Sequence, residues 1–185
     1  MSIAVIKKEN GIYTIGADCA WFRENSDCID TTHIKYSKLR YFQNHLSTNF
    51  YIAGVGLQKD MSILYDIVIP EKISRNAFVI STECAVPDLY KLFTDYRNKA
   101  KEIFGDDTYS INETSYIIAF ENQAYVFNSG GIMPVNDYTA IGSGESYAFG
   151  ALYNGATVSQ AIYTACHFCS TCSVQNTEPI VMEVK

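Results

Sequence analysis

Apolar residues in this chain follow strand spacing and helical spacing in separate blocks, and that segregation limits the fold more than any single motif does. Residues 2–8 and 12–18 alternate on either side of Asn10-Gly11, a dipeptide suited to a two-residue hairpin, so the chain opens on a β-hairpin. The polar stretch 23–30 reads as a loop, followed by short strands over 33–44 and 50–55 that end at Gly54-Val55-Gly56. Leu57, Met61, Leu64, Tyr65 and Val68 then recur at helical spacing, which predicts a helix over 57–68 that Pro70 stops. A second helix over 87–104 is carried by Leu89, Leu92, Phe93, Tyr96, Ala100 and Ile103, with Pro87 in its first turn and Gly105 beyond its end. The stretch 69–86 stays open, since 77–82 suits either a strand or the start of a helix. Strand patterns return at 115–120 and 123–128, a hairpin around Glu121-Asn122, and at 138–142. Helices over 144–153 and 157–172 and a closing strand over 180–184 complete the order.

Strands gathered in blocks, with helices gathered in pairs between them, imply layers and not βαβ alternation. The expected fold class is α+β: two antiparallel sheets between two helix pairs, a four-layer αββα sandwich formed as one domain over 1–185. Hydrophobic residues make up 48% of the chain and charged residues 18%, which supports a packed core and excludes general disorder. The 14 tyrosines suit either sheet surfaces and core edges or extensive interfaces.

A net charge of −6 argues against a nucleic-acid partner, which calls for a basic face or stripe. No segment approaches the roughly 20 apolar residues of a membrane span, and the N-terminus lacks the basic and apolar regions of a signal peptide. A cytoplasmic protein is therefore expected, with its cysteines mostly reduced. Cys166, Cys169 and Cys172 stand three apart beside His167, a spacing shared with metal-binding sequences. With no fourth cysteine at short distance, they read as small buried hydrophobes, and no metal or other cofactor is expected.

Ser2 follows the initiator methionine directly. Its small side chain suits removal of Met1, and a freed Ser2 carries a hydroxyl nucleophile and an α-amine base within one residue. Read alone, Asp18 and Lys35 are an ordinary charged pair, Gly56 is a turn glycine, and Ser143 caps the helix that begins near Gly144.

Together these residues resemble the proteasome β-subunit family of N-terminal nucleophile hydrolases, which includes the bacterial HslV-type peptidase. Ser2 precedes by 16 residues the Asp18 that ends "GIYTIGAD", similar to the family's second strand and buried aspartate. Lys35 in "IKYSKL" stands one residue beyond the family's lysine position. Gly56, four residues before Asp60 in "GLQKD", is similar to the oxyanion-hole glycine. "IGSGESYAFGALYNG" resembles the strand-to-helix turn, with Ser143 at the family's serine. The resemblance covers most of the chain and is weakest over 69–86.

The resemblance implies a role for each position. The α-amine accepts the Ser2 proton, Lys35 as an ammonium favours negative charge on the nucleophile, and Asp18 pairs with Lys35. The N–H of Gly56 faces the oxyanion, and Ser143 hydrogen-bonds near the amine. His33, Gly54 and Gln58 would line the pocket for the substrate side chain. Two departures stand out: His167 occupies the place of a supporting aspartate, with Ser170 keeping the following serine, and Ser2 replaces the usual threonine. The implied function is peptide hydrolysis inside a ring of identical subunits, stacked in pairs and fed unfolded chains by an ATP-dependent unfoldase or other cap. A catalytically silent ring subunit that keeps Met1 and a small-molecule amidohydrolase are the alternatives.

Overall fold

The computed structural model describes residues 2–22, 28–30, 37–105, 114–174 and 178–185, with 20–22 and 28–30 described by their backbone only. The opening hairpin forms as expected. β1 (Ile3–Glu9) and β2 (Ile12–Ala17) pair antiparallel with Glu9 opposite Ile12, and the turn places both Asn10 (φ 52°) and Gly11 (φ 83°) in the left-handed region. A short pair follows, β3 (Ala20–Phe22) and β4 (Cys28–Asp30), the second of which lies within the stretch expected as a loop.

β5 (Leu39–Gln43) and β6 (Asn49–Val55) lead into a helical run that passes through Pro70 instead of stopping there. α1 (Gln58–Ser62) continues as a π-helical turn over Ile63–Val68 and then as α2 (Ile69–Ser74). Pro70 sits in the first turn of α2, where the hydrogen-bond ladder changes from π to α register. A missing N–H is tolerated at such a junction, whereas it would break a uniform helix. The undecided stretch 77–82 is neither helix nor strand, although it buries Phe78 and Ile80 and exposes Val79 with strand-like alternation.

α3 (Ala85–Phe104) ends at Gly105, whose φ of 78° stops the helix. β7 (Ser115–Phe120), β8 (Gln123–Asn128) and β9 (Gly131–Pro134) form a meander whose last strand the alternation did not reveal. β10 (Tyr138–Gly142), α4 (Glu145–Tyr153), α5 (Val158–Phe168) and β11 (Ile180–Glu183) close the chain.

The strands pair as a four-stranded sheet ordered β10-β1-β2-β11 and a five-stranded sheet ordered β5-β6-β7-β8-β9, both antiparallel. Three apolar clusters separate the layers. Ala4, Ile6, Ile15, Ala53, Ile117 and Ala119 pack between the sheets. Phe50, Tyr65, Phe93, Tyr96 and Tyr116 pack between the five-stranded sheet and the helices from α1 to α3. Ile3, Val5, Ala148, Ala161, Ile162 and Ala165 pack between the four-stranded sheet and α4–α5. The expected αββα order is thus the observed one.

Candidate active site

Ser2 lies just before β1 and is 2% exposed. Its carbonyl accepts a hydrogen bond from the Ser143 hydroxyl at 3.3 Å. The turn that carries Ser143 begins at Gly142, whose φ is 109° and where a Cβ would come within 2.2 Å of the Ser2 carbonyl oxygen. Only glycine allows the end of β10 to approach Ser2 this closely.

One residue further on, the Ile3 N–H donates to Asp18 Oδ1 at 3.2 Å, and the Asp18 N–H donates back to the Ile3 carbonyl at 3.1 Å. Asp18 directly follows the last residue of β2, and its carboxyl is a hub. Oδ1 also accepts from Lys38 Nζ at 2.7 Å, and Oδ2 accepts from the Ser173 N–H at 3.2 Å. Both side chains of this ion pair are 0% exposed. Burial pushes the Asp18 carboxyl above its ordinary range, against the pull of the Lys38 charge and hydrogen bond and of the Ile3 and Ser173 N–H groups. An ammonium and a carboxylate so buried stand only because each satisfies the other.

Among the described residues the ionic partner of Asp18 is Lys38; the sequence points to Lys35 for that place. Lys35 and His33, like Met1, lie outside the described residues. Lys38 is the second lysine of "IKYSKL", and nothing in local spacing separates the two. Tertiary contacts hold it in place: its carbonyl accepts from the Gly54 N–H at 2.9 Å and from the Tyr65 hydroxyl at 2.9 Å. Tyr65 is fully buried in the π-helical turn, and desolvation raises its phenol far above the ordinary value, so it remains a donor.

Gly56 has φ 127° and sits between β6 and α1. The neighbouring Val55 side chain reaches Gly142, within 3.4 Å of where a Cβ would stand, which brings this turn to the Ser2 end of the molecule. The turn is pinned by a buried relay: the Leu57 N–H donates to Thr114 Oγ1 at 3.3 Å, and the Thr114 hydroxyl donates to Asp60 Oδ2 at 2.6 Å. Gly54 faces the helical core, where a Cβ would stand 2.6 Å from Met61 Sδ, so close packing accounts for this glycine. Gln58, the first residue of α1, is exposed.

His167 and Ser170 are both exposed. The His167 ring meets Phe168 edge-on at 4.7 Å, and Phe168 in turn stacks on Tyr147 at 5.7 Å. The residues brought to Ser143 are others. α5 ends at Phe168, short of the 172 expected, and the chain turns back so that the Thr171 hydroxyl donates to Ser143 Oγ at 2.7 Å and Cys172 Sγ lies 3.6 Å from it. The following residue is Ser173, the donor to Asp18. A helix predicted through 172 hid this turn from sequence reading. The Cys-x-x-Cys spacing of 169 and 172 was the available signal.

No group of three or more His, Cys, Asp or Glu side chains suited to a metal occurs among the described residues. Nor is any helix among them long and apolar enough to cross a membrane. The arrangement concentrates a buried ammonium, two turn glycines and two hydroxyls around the terminal strand.

No protein-family model matches this chain, and no curated protein sequence does. Solved structures do match. BPH from Thiobacillus denitrificans in complex with epoxomicin superposes with a TM-score of 0.74 at 17% identity, over 99% of both chains. HslV from Trypanosoma brucei matches at 0.66 and 15%, again over 99% of both chains. Anbu, the ancestral beta-subunit, from Yersinia bercovieri matches at 0.74 and 10%, over 98% of this chain and 81% of that one. The chain thus has the proteasome-like fold of HslV and Anbu.

Proposed function

We propose that this chain is an N-terminal nucleophile peptidase subunit in which Ser2, freed by removal of Met1, attacks peptide carbonyls, with Lys38 in the role first given to Lys35. The observation that carries this reading is the fully buried Asp18–Lys38 pair, tied through the Ile3 N–H to the residue next to Ser2. An ammonium held there favours an unprotonated α-amine and negative charge on the nucleophile. The amine takes the Ser2 hydroxyl proton as the C–O bond forms and returns it to the leaving amine as the peptide C–N bond breaks. Water then hydrolyses the acyl-enzyme. The Gly56 N–H is the proposed oxyanion donor, and Ser143 steadies the Ser2 peptide.

The proposed assembly is a ring of copies, stacked in pairs, that takes unfolded polypeptide from an ATP-dependent unfoldase or other cap. Support comes from the fold shared with HslV and with Anbu, for which a helical assembly from Pseudomonas aeruginosa is known.

Because the BPH match holds epoxomicin, an epoxyketone peptide is the natural probe. Intact mass of the purified chain should lack Met1, and the probe should add one adduct that Ser2→Ala abolishes. Lys38→Ala should remove labelling, while Lys35→Ala should retain most of it. Met1 on every molecule, or an adduct that survives in Ser2→Ala, would sink the reading. A catalytically silent ring subunit that keeps Met1 is favoured by two observations: His167 is exposed, and Ser143 meets hydroxyl and thiol groups.

A further inference from the structure

Between α5 and the site lies a turn whose side chains the proposed mechanism leaves unused. Cys169 and Cys172 flank Ser170 and Thr171, and the Cys172 N–H donates to the Cys169 carbonyl at 3.1 Å. A turn closed in this way keeps its end Cα atoms within about 7 Å, the range in which a disulfide forms. Both cysteines are free, and both thiols lie on the hydroxyl cluster around Ser143, Cys172 Sγ directly at 3.6 Å. Cys169 Sγ also lies 3.2 Å from Thr171 Oγ1, the hydroxyl that donates to Ser143.

We propose that Cys169 and Cys172 are a redox modification site: a peroxide closes them into a disulfide, a thiol reductant reopens it, and closure loosens the hold of the turn on Ser143 and Asp18. The two thiols are unequal in the sense the chemistry requires. Burial pushes Cys169 up, but hydrogen bonds from the Thr171 side chain and backbone, Ser143 and Cys172 outweigh it and bring the thiol down to about 7. Burial pushes Cys172 up to about 12 and Cys166 higher still. Cys169 is therefore the attacking thiolate and Cys172 the resolving thiol. Cys169 Sγ attacks one peroxide oxygen, the O–O bond breaks, and hydroxide leaves a sulfenic acid. Cys172 Sγ then attacks that sulfur, the S–O bond breaks, and water departs with the thiol proton. The dithiol loses two electrons and two protons, and hydrogen peroxide becomes two waters.

The link to the site is steric and direct. Cys172 Sγ stands 2.9 Å from where a Cβ on Gly144 would lie and 3.6 Å from Ser143 Oγ, and the next residue donates its N–H to Asp18. Drawing the sulfurs to about 2.05 Å pulls Cys172 off Ser143 and tugs the Ser173 N–H away from the carboxylate.

The disulfide stands apart from the peptidase reading, whereas its effect on labelling rests on that reading, so the test reads the two separately. The full chain is treated with hydrogen peroxide at pH 7, alkylated and peptide-mapped. The expected result is a Cys169–Cys172 disulfide, two hydrogens lighter and reversed by dithiothreitol, with faster amide exchange at Ser173. Sulfinic acid on Cys169 without a disulfide, a disulfide that includes Cys166, or unchanged exchange at Ser173 would each overturn the proposal. Cys172→Ser should lose the reversible mass change, and Cys169→Ser provides a second check should the first variant fold poorly. If the reduced chain labels with an epoxyketone, oxidation should slow labelling about tenfold, the scale of one lost hydrogen bond to a charged group, and Cys172→Ser should not respond. Equal labelling of oxidised and reduced chain would remove the link to the site. A chain that never labels but forms the disulfide and gains exchange at Ser173 leaves this proposal standing and the peptidase reading fallen.

Discussion

The two helical layers cover their sheets by opposite means. Beneath α1, α2 and α3 the core is aromatic: Phe50, Phe93, Tyr96, Tyr116 and Phe127 are buried, and Phe93 stacks on Phe127 with ring centroids 3.5 Å apart. Beneath α4 and α5 it is aliphatic, with the small residues Ala148, Ala161 and Ala165 among Ile3, Leu152 and Ile162. A Cβ on Gly16 would strike Val158 and Ile162, and one on Gly144 would lie 2.8 Å from Ala165 Cβ and 2.9 Å from Cys172 Sγ. The aromatic side chains of these helices instead face outward, with Tyr153 81% and Phe168 61% exposed. The aromatic layer fills volume and supplies stability. The small-residue layer brings backbone close to backbone, and that is the side where Ser143, Cys172 and Ser173 reach the terminal strand. Stability and site geometry are therefore expected to respond to different substitutions.

The sharpest break of this contrast is Phe93→Ala, which should cost about 3–5 kcal/mol, the usual penalty for emptying an aromatic core position, read as a lower denaturant midpoint. Molecules still folded should label with the epoxyketone at the rate of the unmodified chain, and a slowed rate would show the layers to be coupled. Lys38→Met should cost about 3 kcal/mol or more, because it strands the buried Asp18 carboxyl, and here labelling should vanish as well. Gly144→Ala should cost only about 1–3 kcal/mol, since one methyl crowds Ala165 and Cys172, yet it should slow labelling more than Phe93→Ala does. Ala165→Gly in the same chain should recover part of the loss. Tyr153→Ser should shift stability by no more than about 0.5 kcal/mol, because the ring is mostly in solvent.

A titration sharpens the contrast at the turn. Cys169 is brought down to about 7 by its hydrogen bonds, so its alkylation by iodoacetamide should rise with pH, reach half its maximum near pH 7 and level off above. Cys172, pushed up chiefly by burial, should remain unalkylated up to pH 9 in the folded chain. Equal rates at the two positions would remove the asymmetry between them.

Much of the architecture is legible in the residues because periodicity records which face of an element is buried. The Asn10-Gly11 hairpin, the long α3 and the meander turn at Glu121 each carry their own local signal. The misses lie where the signal depends on neighbours. Pro70 stops a lone helix, yet it is carried here because the ladder changes register at that point. The apolar helical pattern runs four residues past the end of α5, through Cys169 and Cys172, while the backbone turns back to the sheet. In the site, Asp18 and Ser143 meet the Ser2–Ile3 backbone at the start of the opening strand, and the Val55 beside Gly56 reaches Gly142. His167 and Ser170 face outward, and Gly54 belongs to the packing under Met61.

The sequence by itself determined the layered αββα order and the placing of an aspartate at the end of the second strand, since both follow from alternation and turn chemistry along a few neighbouring residues. Only the tertiary structure shows Lys38 meeting that aspartate. Lys38 is chosen by Tyr65 and Gly54, which hold its backbone from distant elements, and by Asp18, whose burial requires a partner. The need for a buried charge to be matched is a property of the folded interior, and it leaves no trace in spacing along the chain.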